Sequence, residues 1–364
     1  VLLEGLHGTC VAAEAELVAA RVRAALAHPM SVDGRPIAAS ASLGVAEAGA
    51  SDDVETLLRN ADVAMYVAKD GGKARHAVFA PAMYDAVRAR LELEADLRAA
   101  LADPDAAGLH LVYQPVVELE DGTLRGMEAL LRWRHPHRGP VAPGAVIPIA
   151  EETGLIVPLG AWVLRAACAR LAAWADAARA LGRPASAIPA VAVNISGRQL
   201  EQGDLATAVA DALRASGAPA TRLTLELTES VLMRRTDETL ATLEALRALG
   251  VRIALDDFGT GYSSLAYLQR VPLDVLKIDR TFVTNVAAGG PDAALVRTIV
   301  ALGQQLGVRT VAEGIEVAAQ RDALRALGCH DGQGYLFDRP LTAGEATARV
   351  LAALGATGGV RSAA

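Results

Sequence analysis

Over the first 80 residues, short apolar runs alternate with amphipathic ones: an apolar VLLEGL, a helical AEAELVAARVRAALA, a turn at VDGRP, a strand IAASASLGVA and a helix DVETLLRNADVAMYVAKDGG. This order predicts a small α/β segment over 1–80. From Pro81 to about Leu101, the apolar positions Met83, Val87, Leu91, Leu97 and Leu101 keep helical spacing among many charges. They predict a connecting helix over 81–104, closed by the turn-forming DPDAAG at 103–108. The rhythm then changes. Strand-like runs fall at about 109–119, 124–133, 190–196, 222–229, 252–257, 273–279, 309–314 and 332–337, mostly separated by helical segments. Eight strands in a βα rhythm over 105–350 predict an α/β fold of the TIM (β/α)8 barrel type. ELEDGTLRG joins the first two strands through Asp-Gly, a hairpin signal, so those two are expected to be antiparallel. The Gly- and Ala-rich segment 351–364 predicts a flexible tail.

The chain has 364 residues, enough for one large domain and a smaller one. Hydrophobic residues make up 52% of it, but much of that is alanine in stretches such as RAACARLAAWADAARALG, where arginines recur. No uninterrupted apolar run approaches the roughly 18 residues of a spanning helix, and the N-terminus lacks the basic start and apolar run of a signal peptide. The expectation is a cytoplasmic location with no membrane contact within this fragment, any tether lying upstream. A formal charge of −7 without long basic blocks argues against a nucleic-acid polymer as partner, and an anionic substrate would need cations brought in. Cys10, Cys168 and Cys329 are far apart and form no CxxC pair, which fits a reducing compartment and buried small side chains, not zinc.

In a TIM-type barrel the chemistry sits at the carboxyl ends of the strands, because those loops converge on one mouth. Strand two carries Glu128, strand three ends in Asn194, strand four presents Glu226 and Glu229, and strand five ends in Asp256 and Asp257. Strand six supplies Lys277 and Asp279, strand seven ends in Glu313 and strand eight brings Gln333. Singly, each has a plain alternative: an Asp before a glycine loop caps a turn, a Glu on a strand faces water, an Asn before Ser begins a turn. Independent surface groups have no reason to fall at the same end of every strand, so the coincidence points to one site. Two adjacent carboxylates beside an apolar core need protons, basic side chains or metal ions to stabilise them. The cluster holds no histidine or cysteine, and hard oxygen ligands suit Mg²⁺ or Mn²⁺. Adjacent aspartates can serve two ions about 4 Å apart, as in two-metal hydrolysis of phosphate esters. Lys277 would then orient the attacking water or offset charge developing on phosphate; its alternative is a salt bridge to Asp279 on the same strand face. DFG at 257–259 lacks the companion motifs of a kinase, GTGYSS lacks the last glycine of a dinucleotide fingerprint, and HPHRG at 135–139 reads as a loop.

MEALLRW (127–133), VNIS (193–196), LELTES (225–230), DDFGTGYSSL (256–265), LKID (276–279), AEGIE (312–316) and QGYLF (333–337) resemble, in order, the motifs of the EAL-domain phosphodiesterases of bacterial cyclic di-GMP signalling. YQPVV (113–117) and IPIAEETGLI (147–156) fit as well. The resemblance implies a modified TIM barrel with an antiparallel first strand, and hydrolysis of cyclic di-GMP to linear pGpG with two Mg²⁺ or Mn²⁺ ions. By motif, it makes Glu128, Asn194, Glu226 and Asp256 ligands of one ion, and Asp256, Asp257 and Glu313 the surroundings of the second, with Asp256 bridging. It places Lys277 beside the catalytic water, with Gln333 supporting water or substrate, and gives Arg132, its neighbour Leu131 and Gln114 to the substrate. Glu229 would steady the loop from Phe258 to Ser264, and Glu316 would support the site from outside the ligand shell. Val146, where the family usually has phenylalanine, is a departure away from the metals. A homodimer through the loop after Asp257 is a further family expectation.

SASLGVA and LLRNADVAMYVAKDGGKARHAVF within the first 80 residues resemble the C-terminal half of a GGDEF domain. The signature loop is absent, and the family's usual GRNR is GKAR at 72–75, so no cyclase site is expected from this segment. Two rivals to the phosphodiesterase stand beside it: a catalytically silent cyclic di-GMP receptor, which usually lacks one or more of the metal carboxylates, and an unrelated Mg²⁺-dependent barrel enzyme.

Overall fold

A computed structural model of the chain describes residues 11–28, 30–32, 35–37, 39–49, 52–72, 74–202, 204–232, 237–259, 268 and 270–356. It divides into two compact units, 1–96 and 97–364. In the first, helix α1 (Val11–Ala27) precedes an antiparallel pair, β1 (Met30–Val32) and β2 (Arg35–Ile37). β3 (Leu43–Val45) and β4 (His76–Val78) then pair in parallel through the crossover helix α2 (Val54–Asp70). Asp53 caps α2 by accepting from the Thr56 N–H. Strand and helix approach closely at Gly44, where a Cβ would lie 1.9 Å from the Ala61 carbonyl oxygen. Helix α3 (Ala82–Ala100) meets α2 through Tyr84, whose hydroxyl donates to Asn60 Oδ1 at 2.6 Å, and through Arg90, whose Nε donates to the Tyr66 hydroxyl at 2.9 Å.

The second unit is a closed barrel. Its staves are β5 (Leu109–Glu118), β6 (Leu124–His135), β8 (Ala190–Asn194), β9 (Leu223–Thr228), β10 (Arg252–Phe258), β11 (Val275–Ile278), β12 (Arg309–Ala312) and β13 (Asp331–Gln333). β6, β8, β9, β10, β11, β12 and β13 pair in parallel in that order, and β5 closes the ring by pairing antiparallel with both β6 and β13. This is the α/β barrel with an inverted first strand that the Asp-Gly hairpin and the βα rhythm predict. β9 is buried from Leu223 to Leu227 because barrel interior covers one face and helices the other. Inward-facing polar residues at the strand ends therefore have no solvent face to turn to.

Three boundaries differ from the sequence pattern. The second stave runs on to His135 and folds back as a short outer strand, β7 (Gly139–Val141); His135 Nδ1 accepts the N–H groups of His137 and Arg138, so HPHRG is a structural hairpin. The eighth stave ends at Gln333, not 337, because Gly334 brings its backbone against Ile315: a Cβ there would lie 2.1 Å from the Ile315 carbonyl oxygen. The last helix (Ala343–Ala356) runs into the segment expected to be a flexible tail, since Val350 and Leu354 bury their side chains; residues 357–364 lie outside the described residues.

Helix Ile156–Ala180 is long and apolar enough to cross a membrane by length and composition, with half of its most apolar window buried within the protein. Leu159, Leu164, Leu171 and Trp174 on it are buried. Trp174 packs edge-on to Tyr113 of β5 at 5.7 Å and donates from Nε1 to Thr347 Oγ1 of the last helix at 3.0 Å, so its apolar face covers the barrel. Cys168 and Cys329 are buried free thiols pushed up to about 11 by burial, matching the small-side-chain reading; Cys10 lies outside the described residues.

Candidate active site

Pairing brings the strand-end groups together in layers: Gln114 lies opposite Glu128, and Asn194 opposite Glu226. At the centre is Lys277, only 2% exposed. Its ammonium lies 2.6 Å from Glu313 Oε1, 2.9 Å from Glu226 Oε2, 3.1 Å from Asp256 Oδ1 and 3.8 Å from Glu128 Oε2. The alternative bridge to Asp279 is not formed among the described residues; Asp279 instead accepts from the Thr281 N–H and caps the following turn. Glu128 is fixed on both oxygens, accepting from Asn194 Nδ2 at 2.7 Å and from Gln333 Nε2 at 2.6 Å. Gln333 Nε2 also reaches Gln114 Oε1 at 3.1 Å, which ties the first, second and eighth staves into one hydrogen-bonded edge.

Neighbouring residues on a regular strand face opposite ways, so two adjacent aspartates cannot both address one point. The fifth stave avoids this with an irregularity. Its register against β11 shifts between Leu255 and Phe258, and Asp257 adopts a left-handed backbone, φ 54°, rare for a residue with a Cβ. Asp256 Oδ1 accepts the Asp257 N–H at 3.0 Å across this bulge. As a result one carboxylate oxygen each from Asp256, Asp257 and Glu313 lies within 4.8 Å of the others. Such strain persists where the surroundings over-determine it, and it gathers at functional sites.

Four carboxylates thus face one ammonium, and Asp257 joins the cluster beside Asp256 and Glu313. Burial, opposed by Lys277 and reinforced by Glu128, Asp256 and Glu313, holds the Glu226 carboxyl well above the usual range. Burial also lifts Glu313 to about 7, with Asp256 and Glu128 adding to the rise. Asp257 is raised by burial and by Asp256 and Asp279, the last of which shares a hydrogen bond with it. Glu128 is lowered, burial being outweighed by Lys277 and by the amides of Gln333 and Asn194. For Lys277, burial is outweighed by its four carboxylates, and its pKa rises. A site short of positive charge, built of hard oxygens and without soft ligands, has the composition a divalent cation of the Mg²⁺ or Mn²⁺ kind requires. Gln333 Oε1 adds a buried acceptor with no partner among the described residues, available to a water beside the carboxylates.

The outlying groups behave differently. Glu229 sends Oε2 to the Gly259 N–H at 3.1 Å, at the start of the loop it was expected to steady; residues 260–267, and the dimer contact expected of them, lie outside the described residues. Arg132 is half-buried and donates to the Leu131 carbonyl oxygen at 2.8 Å, leaving its other guanidinium nitrogens for a ligand. Glu316 is exposed, and its backbone N–H donates to Gln320 Oε1, while among the described residues its carboxylate has no partner in the cluster. The contact of Asp279 with Asp257 was missed as a site feature, because strand periodicity alone pointed Asp279 toward Lys277.

Residues 94–340 match the EAL domain family, and residues 1–75 match the diguanylate cyclase, GGDEF domain family. The chain belongs to the EAL domain family. Among curated relatives of this EAL chain are the bifunctional diguanylate cyclase/cyclic di-GMP phosphodiesterase MucR of Pseudomonas aeruginosa, 42% identical over 93% of this chain and 48% of the relative. The cyclic di-GMP phosphodiesterase NbdA of the same organism is 40% identical over 90% of this chain and 41% of the relative. The chain thus spans less than half the length of these two. Among solved structures, a PaMucR phosphodiesterase complex with c-di-GMP aligns with TM-score 0.64 and 45% identity over 70% of this chain and 99% of that one. EAL enzyme Bd1971 with cAMP and cyclic-di-GMP bound aligns with TM-score 0.68 and 30% identity over 83% of this chain and 77% of that one. The fold of the EAL barrel is therefore shared with proteins solved in complex with cyclic di-GMP.

Proposed function

We propose that the EAL barrel hydrolyses cyclic di-GMP to linear pGpG with two divalent cations, Mg²⁺ or Mn²⁺. The observation that carries this reading is the convergence of Glu128, Glu226, Asp256, Asp257 and Glu313 around one buried lysine, with the left-handed Asp257 completing a three-carboxylate group. Glu128, Asn194, Glu226 and Asp256 would hold one ion, and Asp256, Asp257 and Glu313 the other. When bound, such ions activate water and neutralise phosphodiester charge. Lys277 keeps its proton throughout, held by its carboxylate neighbours, and offers N–H donors to the attacking water or to charge gathering on phosphate. Gln333, anchored through Nε2 to Glu128, presents Oε1 to a water. Arg132, Leu131 and Gln114 line the approach for the dinucleotide, with the guanidinium pairing phosphate. Glu229 fixes the exit of the fifth stave through Gly259.

The names of the relatives and of the solved complexes support cyclic di-GMP as the substrate. The complete carboxylate set supports turnover over silent binding. A cytoplasmic location and a homodimer through the loop after Asp257 belong to the same reading, the second checked by the mass of the protein in solution. Incubation with cyclic di-GMP and Mg²⁺, resolved by chromatography, tests the activity: pGpG is expected, and excess chelator abolishes it. Absence of pGpG with Mg²⁺ and Mn²⁺, or turnover indifferent to chelator, would contradict the proposal.

A further inference from the structure

Beneath the acidic cluster the barrel is not filled. Branched side chains usually pack such an interior, but here small residues, Gly126, Ala190, Ala192 and Ala254, leave a cavity of about 280 Å³. Glu226 and Lys277 line it too, and basic residues line it at the amino ends of the staves: Arg125, Arg222, Arg252 and Arg309. The spacing explains the arrangement. Arg222, Arg252 and Arg309 each precede a cluster carboxylate, Glu226, Asp256 and Glu313, by four positions. On β10, Arg252 shares the inward face of Asp256 about 13 Å lower, and Arg222, just before β9, and Arg309, at the start of β12, line the same lower end.

The counter-charges are uneven. Arg309 is held by Asp331 through two bonds of 2.8 and 2.7 Å, and Arg125 pairs with Glu118. Among the described residues Arg222 donates to the Ser186 carbonyl oxygen, and neither it nor Arg252 pairs with a carboxylate. Asp274 is engaged elsewhere, accepting the Ile253 N–H at 3.0 Å with Arg247 at 3.7 Å. Burial, and next the guanidinium of Arg252, pull the pKa of Arg222 down, as two like charges side by side require.

We propose that this amino-terminal mouth is a second binding site, at the end of the cavity opposite the acidic cluster, which takes a small tetrahedral oxyanion of the phosphate or sulfate type between Arg222 and Arg252. Two planar forks with unpaired donors match such an ion bidentately and remove their mutual repulsion. The cavity is at the lower limit for drug-sized ligands, about 300 Å³, which favours an inorganic ion over a nucleotide.

The test titrates inorganic phosphate into the full chain with chelator present, so that no metal ion can hold phosphate at the carboxylate cluster, at ionic strength held constant with chloride. Melting temperature and phosphorus NMR line width are read. The melting temperature is expected to climb with phosphate concentration as ligand linkage dictates. Arg222→Gln and Arg252→Gln should each weaken apparent affinity at least tenfold, while Arg214→Gln, at an exposed side chain elsewhere, keeps it. Sulfate acting like phosphate supports the site. Chloride acting like phosphate, or variants that respond as the parent does, overturns it, and the parent titration decides even if a variant fails to fold.

Discussion

Asp257 carries its carboxylate into the site at the cost of a left-handed backbone, φ 54°, which asparagine tolerates as well as aspartate does. Asp257→Asn should therefore leave chelator-treated stability within about 1 kcal/mol while lowering hydrolysis by about 10²-fold or more. Denaturant melts and single-turnover assays separate the two effects; a large loss of stability would mean the charge, not the conformation, holds the bulge. Glu226→Gln should behave alike, since burial already disfavours the ionised form of Glu226. The pH dependence follows from Glu313. Its folded pKa of about 7 exceeds the ordinary 4.5, so the folded state binds the extra proton between those values. The stability it contributes is complete below about 4.5 and is lost as pH rises through 7, on the order of 3 kcal/mol. Glu226 and Asp257, also raised, act in the same direction. In chelator the melting temperature should fall from pH 5 to pH 8, and Mg²⁺ should reduce or reverse that fall, because metal binding requires the ionised carboxylates. A melting temperature that rises with pH in chelator would contradict the crowded-carboxylate picture.

At the scale of elements, the staves were legible because each is a short apolar run bounded by turn residues, and the inverted first stave because Asp-Gly announces a hairpin. The bulge in β10 was not legible. Nothing in ALDDF distinguishes a regular strand, with its aspartates on opposite faces, from one that turns both toward the site. The end of β13 was hidden for a related reason: QGYLF has strand composition, but the backbone of Ile315 stops the ladder at Gly334, a contact between residues far apart in pattern. Gly334→Ala should cost about 1–3 kcal/mol, because the clash is with backbone that cannot rotate aside. It should also depress hydrolysis by moving Gln333. A melt unchanged by this substitution would show that the close approach is not required.

Across the whole molecule, the acidic cluster and the arginine mouth sit at opposite ends of the same staves, an axial separation of charge that accompanies a four-residue spacing along three of them and their flanking turns. The strand-end carboxylates were readable as a group because they recur at one end of successive strands. The central place of Lys277 among four of them was readable only as one of two options until the barrel closed and set its neighbours. The match of residues 94–340 to the EAL domain family agrees with this architecture. The most direct test is anomalous scattering from crystals grown with Mn²⁺. The account predicts two peaks at the carboxyl ends of the staves, one within reach of Glu128, Asn194, Glu226 and Asp256 and one beside Asp256, Asp257 and Glu313. No peak there, or manganese bound only elsewhere, would contradict it.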